Sequence, residues 1–204
     1  MNANVHKAHP WHGIPIGEKA PDIVTAFIEI VPTDTVKYEI DKNTGYLKID
    51  RPQKYSNIVP ALYGFIPKTY CAEHVAKLAR DRSGREDITE GDGDPLDVLV
   101  LTEKFISHGD LICEVIPIGG IRLIDGGEAD DKIIAVLKGD EVYGGYSDLS
   151  EVPSNVVERL KHYFLTYKNL PGEKAHIEIT NVYGQAEAHE VIAMSVEDYK
   201  QSFY

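Results

Sequence analysis

Residues 91–101 read GDGDPLDVLVL, a tight acidic turn that runs directly into an apolar strand, Val98–Leu101. Gly91 and Gly93 permit backbone angles that other residues resist. Pro95 fixes the turn and cannot extend the strand. Working outward, the same alternation of strand and turn recurs. Ala26–Val31 (AFIEIV) reads as a strand. In Thr35–Ile40 (TVKYEI), Val36, Tyr38 and Ile40 fall on one face and Lys37 and Glu39 on the other. The turn-like DKNTG then leads into Tyr46–Asp50, which predicts a hairpin. Leu111–Ile118, Ile121–Ile124 and Ile133–Lys138 add further strands. Many short strands with few helices between them predict an antiparallel sheet curled into a barrel.

The period changes in the last third. Val156, Val157, Leu160, Tyr163, Phe164 and Tyr167 form one apolar stripe, predicting a helix over Pro153–Lys168 closed by Pro171-Gly172. A second helix is predicted over Gly184–Gln201, with Ala188, Val191, Ile192, Ser195, Val196 and Tyr199 facing inward. The fold class is therefore mainly β with helices (α+β), the two C-terminal helices packing outside a barrel. Residues 1–204 read as a single domain. Residues 1–24, rich in His, Pro and Gly, read as an N-terminal arm that packs late or frays. His6, His9 and His12 are spaced by three, which suggests a metal clip, but Pro10 interrupts any helix that would align them. Residues 72–90 read as an insertion between barrel strands, with a helical first half and a locally basic character (Lys77, Arg80, Arg82, Arg85).

The chain has 204 residues, 43% hydrophobic and 26% charged, long enough for a substantial core and ordinary for a globular protein. Its 21 Lys and Arg against 33 Asp and Glu give a net charge of −12. That opposes a protein built to coat nucleic acid or an anionic membrane. Two cysteines, Cys71 and Cys113, make no disulfide framework. With no apolar run long enough to span a membrane and no signal-peptide pattern, the expected location is cytoplasmic.

The acids are gathered. Asp92, Asp94 and Asp97 fall within six residues of one turn, and three such carboxylates repel one another unless a cation joins them. Short Asp side chains converge well on a small hard cation such as Mg²⁺. An EF-hand is opposed because its sixth position holds Asp97 rather than Gly and a strand follows. A merely solvated acidic turn stays open on this segment alone. A second acidic turn, LIDGGEADDKIIAV over 123–136, carries Asp125, Asp130 and Lys132. If both turns share one end of the barrel, their carboxylates meet, with Lys37, Arg51, Lys132 and Lys168 available to an anionic ligand.

At these residues the chain resembles the family I soluble inorganic pyrophosphatases. The resemblance is carried by DGDPLDVLV, by IEI at Glu29, KYEID with Lys37 and Glu39, the Asp50-Arg51 pair, YGFIP at Tyr63, IDGGEADDK, and HYFLTYK with Tyr167 and Lys168. These seven motifs run in the family's order from about Ile23 onward. The resemblance implies a five-stranded OB-like barrel and Mg²⁺-dependent hydrolysis of pyrophosphate to two phosphates by a metal-activated water. It implies Asp92, Asp97, Asp125 and Asp130 as metal ligands, with Glu29 and Glu39 as supporting or additional metal carboxylates, and Asp94 as the base handling the water. Lys37, Arg51, Tyr63, Lys132, Tyr167 and Lys168 correspond to the pyrophosphate-binding set. Several Mg²⁺ per site are implied, with Mn²⁺ or Zn²⁺ as substitutes, and a homo-oligomer, a hexamer by size.

The sequence departs from the family pattern at Val59, where a Tyr is usual before Pro60, at Leu62 in place of Asn, and in the length of 72–90. Tyr55 is no assured substitute for the missing hydroxyl. The bland readings stand beside the functional ones: Tyr63 and Tyr167 as core aromatics, Lys37 and Glu39 as a surface pair. Charge offers an independent argument for metal. The seven proposed acids against four cations leave a site at −3, hostile to pyrophosphate; two to four Mg²⁺ add about +4 to +8 and reverse the sign. Competing readings are another metal-dependent phosphohydrolase, an OB-type oligonucleotide-binding module, which the net charge opposes, and an inactive relative serving as a binding subunit.

Overall fold

The computed structural model describes residues 7–168 and 176–204; His6 and the Pro171-Gly172 helix stop lie outside them. Ten strands and three helices follow in chain order: β1 Val24–Ile30, β2 Val36–Ile40, β3 Leu47–Pro52, β4 Leu62–Phe65, α1 Glu73–Ser83, β5 Glu90–Gly91, β6 Asp97–Leu101, β7 Leu111–Asp125, β8 Glu128–Ala129, β9 Lys132–Leu137, α2 Ser154–Thr166, β10 Ile177–Gly184 and α3 Gln185–Phe203. Strands β1, β4, β6, β9 and β7 pair in that order, and β7 pairs back onto β1. The ring is a closed five-stranded barrel in a mainly β chain, as the α+β, OB-like expectation required.

Alternation makes two cores from this one sheet. On β6, Val98 and Val100 enter one apolar cluster while Leu99 and Leu101 enter the other. On β9, Ile133 and Ala135 oppose Ile134 and Val136 in the same way. Both faces are buried, which is why VLVL and IIAV read as unbroken apolar runs. Val75, Ala76 and Ala79 of α1 and Ala188, Val191 and Ile192 of α3 join the first cluster. Leu160, Tyr163 and Phe164 of α2 join the second.

Four expectations are corrected. The sheet is mixed, because β6 runs parallel to β9, with Asp97 paired to Lys132. Leu111–Ile118 and Ile121–Ile124 are one strand of 15 residues, β7. Gly119 and Gly120 interrupt its apolar pattern without ending it: a Cβ on either would fall 2.4 Å from an atom of Tyr183. The glycines mark close approach of a neighbouring strand, and a register shift between Pro117 and Gly119 absorbs the proline. That neighbour, β10, is a strand the sequence reading left unassigned; Ile177 and Ile179 alternate, but a shift between Ile179 and Asn181 breaks the signal. Val196 is only half-buried on α3, whereas the charged Asp198 is buried.

The described part of the N-terminal arm is anchored. Trp11 is buried, donates from Nε1 to the Thr69 carbonyl at 2.7 Å, and packs edge-on against Phe203. Asp198 closes the same end of the molecule. Its carboxylate accepts from the backbone N–H of Ala72, His74 and Val75 at 2.9–3.0 Å, and contacts His74 Nδ1 at 2.8 Å. The N-terminus of α1 has no local side-chain cap; α3 supplies one. Asp198→Ala should therefore lower unfolding free energy by about 3 kcal/mol, since it orphans several buried donors. Asp198→Asn should lose clearly less. Urea denaturation of both variants at unchanged m-value checks this.

Candidate active site

Strand register gathers the charged residues of this chain. Asp97 begins β6 and Lys132 begins β9, so their parallel pairing sets the two side by side. Tyr63 on β4 reaches the same carboxylate, donating its hydroxyl to Asp97 Oδ2 at 2.5 Å. The two-stranded hairpin β2–β3 stands apart from the barrel and brings Lys37 opposite Arg51. Tyr167 and Lys168 follow the end of α2.

The acidic turn before β6 is braced by backbone bonds to residues 66–71. Cys71 N–H donates to Asp94 O at 2.9 Å, and Gly93 N–H returns to Cys71 O at 3.0 Å. Gly91 lets the chains touch, since a Cβ there would lie 2.4 Å from the Cys71 carbonyl. Gly93 adopts φ 70°, a left-handed angle that a side chain would strain. Leu96 N–H is held by Thr69 Oγ1 at 2.9 Å. Asp92 and Asp94 thus project from a rigid turn.

One cleft of about 300 Å³ is lined by all thirteen candidate residues: Glu29, Lys37, Glu39, Arg51, Tyr63, Asp92, Asp94, Asp97, Asp125, Asp130, Lys132, Tyr167 and Lys168. Both acidic turns contribute to it. Asp50 and Glu128 line it too, and neither was singled out from sequence. Both belonged to recognised motifs, the Asp50-Arg51 pair and IDGGEADDK, but neither acid carried a distinguishing signal of its own. A third residue missed in sequence is Lys42, at the tip of the hairpin, whose ammonium pairs with Asp94. Val59 is buried in the core and Tyr55 is exposed. Neither lines the cleft, so neither brings it a hydroxyl.

Nine carboxylates and four cations line the cleft, a formal −5. The cations are already engaged. Lys132 contacts both Asp97 and Asp130. Lys168 meets Asp125 at 2.5 Å, and Lys37 bridges Glu39 at 3.2 Å and Asp50 at 3.0 Å. Arg51 Nη1 reaches Asp50 at 2.7 Å. Tyr167 stacks on Tyr163 with centroids 5.2 Å apart and has the Arg51 guanidinium 6.0 Å from its ring. It serves packing and lines the cleft at once.

Proton affinities record the crowding. Burial, with the neighbouring Asp130 next, holds the Asp92 carboxyl well above the usual range. Burial also raises Asp97, although Lys132 opposes it. Burial works against ionised Asp130 too, but Lys132 and a hydrogen bond with Asp92 outweigh it, so Asp130 is lowered. Glu29 is pushed up to about 8, chiefly by burial, while its Oε1 accepts from Ile40 N–H at 2.7 Å. Buried Asp130 and half-buried Asp97 thus share the Lys132 ammonium, with the half-buried Asp92 beside Asp130.

The donor chemistry fits a hard divalent cation. Every candidate ligand is a carboxylate, and among the described residues no His or Cys lines the cleft, so the preference of Zn²⁺ for imidazole and thiolate is not met. Among the described residues, no three His, Cys, Asp or Glu side chains stand as a ready-made cage, because lysines intervene. Mg²⁺ does not need one; it keeps several waters and takes one or two carboxylates. The described pair His9 and His12 is otherwise occupied: His12 Nδ1 is 2.7 Å from Tyr199 Oη and His9 Nε2 is 3.2 Å from the Lys42 carbonyl.

A family model described as inorganic pyrophosphatase matches residues 26–200. An inorganic pyrophosphatase of Chlamydia trachomatis is 51% identical over 201 residues, 96% of each chain. A soluble inorganic pyrophosphatase of Zea mays is 36% identical across 95% of this chain and 80% of its own. Among solved structures, the inorganic pyrophosphatase of Thermus thermophilus superposes with a TM-score of 0.77 at 31% identity, covering 95% of this chain and 99% of that one.

Crowded carboxylates predict a trade between stability and cation binding. Asp92→Asn matches the protonated side chain in shape and keeps an acceptor for Asp94 N–H, which now bonds Asp92 Oδ1 at 3.1 Å. Without divalent cations, the variant should be more stable by about 1 kcal/mol, a Tm rise of roughly 2–4 °C. The further Tm rise on adding a divalent cation should shrink relative to wild type. Thermal melts with and without cation check both.

Proposed function

The chain belongs to the inorganic pyrophosphatase family, and from that premise we propose how its own residues carry the hydrolysis of inorganic pyrophosphate to two phosphates. The observation that carries the proposal is the cleft itself, with nine carboxylates, four cations and two tyrosines facing one small volume. At −5 it repels a polyanion. The cofactor would be Mg²⁺, several ions per site, which Asp92, Asp97, Asp125 and Asp130 would hold with Glu29 and Glu39 in support; Mn²⁺ would be the better substitute and Zn²⁺ the poorer, given the all-oxygen donors. When bound, Mg²⁺ would reverse the charge of the cleft and bring the pKa of a water down towards neutrality.

Asp94 is the general base. It lines the cleft from the rigid turn, its side chain 38% exposed with Oδ1 against the Lys42 ammonium, and it takes the proton as a water attacks phosphorus. Lys37 and Arg51, carried together on the hairpin, stabilise the charge of the departing phosphate. Lys132, Lys168, Tyr63 and Tyr167 bind and orient the phosphoryl oxygens. Substrate phosphate then competes with Asp50, Asp125 and Glu39 for ammonium and guanidinium groups that already face the cleft, so these cations need little rearrangement.

The protein acts in the cytoplasm as a homo-oligomer, a hexamer, without nucleic acid or membrane partners. Its two free cysteines suit a reducing compartment. Among the described residues no helix is long and apolar enough to cross a membrane. Exposed apolar side chains such as Ile49, Phe105 and Ile112 offer surface for association. Light scattering coupled to gel filtration should return six times the chain mass.

The decisive experiment is phosphate release from pyrophosphate with and without Mg²⁺. Chelation should abolish turnover, and ATP offered in place of pyrophosphate should be a poor substrate. Asp94→Asn should lower kcat by about 10²–10⁴ while pyrophosphate binding persists; a wild-type rate removes Asp94 from the base role.

A further inference from the structure

Behind the cleft lies a second ionic cluster that hydrolysis as described above does not use. Arg122 on β7 is completely buried. Its guanidinium contacts Asp131 at 3.2 Å and Glu187 of α3 at 2.8 Å. It also lies 5.2 Å from the centroid of the Tyr183 ring. The Tyr183 hydroxyl donates to Asp131 Oδ1 at 2.8 Å. Gly120 makes room for that ring, since a Cβ there would come within 2.5 Å of its carbons. Residues from β10, α3 and the turn between β8 and β9 therefore meet at one buried guanidinium of β7, with Asp131 its buried carboxylate partner.

That carboxylate is the neighbour of two cleft residues. Asp131 stands between Asp130 and Lys132, both of which line the cleft, and Asp131 does not. Side chains alternate along extended backbone, so fixing Asp131 on one side sets the direction of the other two. The backbone is pinned as well: Asp130 N–H donates to Leu123 O at 3.0 Å, and Lys132 pairs with Asp97 and Ile121. A buried ion pair is poor value for stability alone, because well-packed apolar residues do as well or better. Its advantage is direction, through a forked donor, an acceptor and a hydroxyl in fixed relation.

We propose that Arg122 and Asp131, clamped by Tyr183 and Glu187, are positioning residues that aim Asp130 and Lys132 into the cleft, so that α3 and β10 help to set its affinity for divalent cation. The inference rests on the reading of Asp130 as a cation ligand. Residues that orient metal ligands typically change affinity 10- to 100-fold when removed.

The test measures Mg²⁺ binding by calorimetry and, separately, the Mg²⁺ dependence of pyrophosphate hydrolysis. Asp131→Asn keeps the size and the acceptor for Tyr183 but removes the charge opposite Arg122. Its Mg²⁺ Kd should weaken about tenfold, with half-activation rising in parallel and kcat at saturating Mg²⁺ falling less than about threefold. Tyr183→Phe removes only the hydroxyl; it should move Kd in the same direction by about threefold, and it decides the matter if Asp131→Asn does not fold. Asp140→Asn is the control. Asp140 is comparably buried, is held by Thr102 Oγ1 and the backbone N–H of Glu103, Val142 and Tyr143, and lies beyond the opposite end of β9. It should lower Tm without changing the Mg²⁺ Kd. Wild-type Kd in both Asp131→Asn and Tyr183→Phe overturns the proposal, as does an equal weakening in Asp140→Asn. If the wild-type protein itself binds no Mg²⁺ and hydrolyses pyrophosphate without it, the cation-ligand reading fails first and the positioning role falls with it.

Discussion

Lys132 is the charge on which the cleft depends. It is buried, it touches Asp97 and Asp130, and its own proton is held far more tightly than usual; burial opposes this, but the two carboxylates prevail. Without that ammonium, Asp92, Asp97 and Asp130 would face one another inside the protein with no counter-charge, an arrangement that protonation rather than packing would resolve. The parallel pairing of β6 with β9 is what brings Lys132 to Asp97. The mixed barrel is therefore tied to the chemistry of its end: an antiparallel partner for β6 at this place would set a different residue opposite Asp97.

Carboxylates held this close together need a scaffold that cannot relax away from them. Two apolar cores, one on each face of the sheet, supply that rigidity, and three helices cover them. Support for the acidic turn extends beyond the barrel. Asp198 on α3 holds Ala72 N–H, and the preceding residue, Cys71, exchanges backbone bonds with Gly93 and Asp94. A helix near the C-terminus thus steadies the turn that carries Asp92 and Asp94. The segment 72–90 takes part through Val75, Ala76, Ala79 and Ile88, all of them core residues.

What could be read from sequence follows from the range of each signal. The turn at 91–97 was legible because Gly, Asp and Pro each have a local reason to be there. So were the strands β6 and β9 and the helices α2 and α3, whose periods lie within a single element. Strand direction was not legible, since β6 and β9 are separated by the whole of β7 and nothing in either run states its polarity. Gly119-Gly120 misled because a glycine pair ends a strand as readily as it admits a neighbour; the neighbour, β10, comes about sixty residues later. Of the cleft residues, those to which the family motifs give a role were found. Asp50 and Glu128 lie inside two of those motifs yet were passed over, as was Lys42 beside the cleft, since a charged side chain on a short strand or turn looks the same whether it faces solvent or a site.

The hairpin β2–β3 carries Lys37, Glu39, Asp50 and Arg51, and it forms a two-stranded sheet of its own. Such a hairpin is marginal by itself in water, so its placement over the cleft has to come from contacts at its edges. Glu29 on β1 accepts Ile40 N–H, and Ile40 packs with Trp11, Phe27 and Phe65. A Cβ on Gly45 would meet Pro10 at 2.7 Å, and His9 Nε2 lies near the Lys42 carbonyl. At the far end, Asn57 Nδ2 donates to the Tyr167 carbonyl at 3.3 Å. The described part of the arm, whose composition suggested that it packs late or frays, is thus a brace. Trp11 fixes it to the barrel, and His9 and Pro10 meet the tip of the hairpin, the same tip whose Lys42 reaches Asp94. Two of the four cations of the cleft ride on the element least integrated into the barrel, and residues 9–11, none of which lines the cleft, help to hold that element in place.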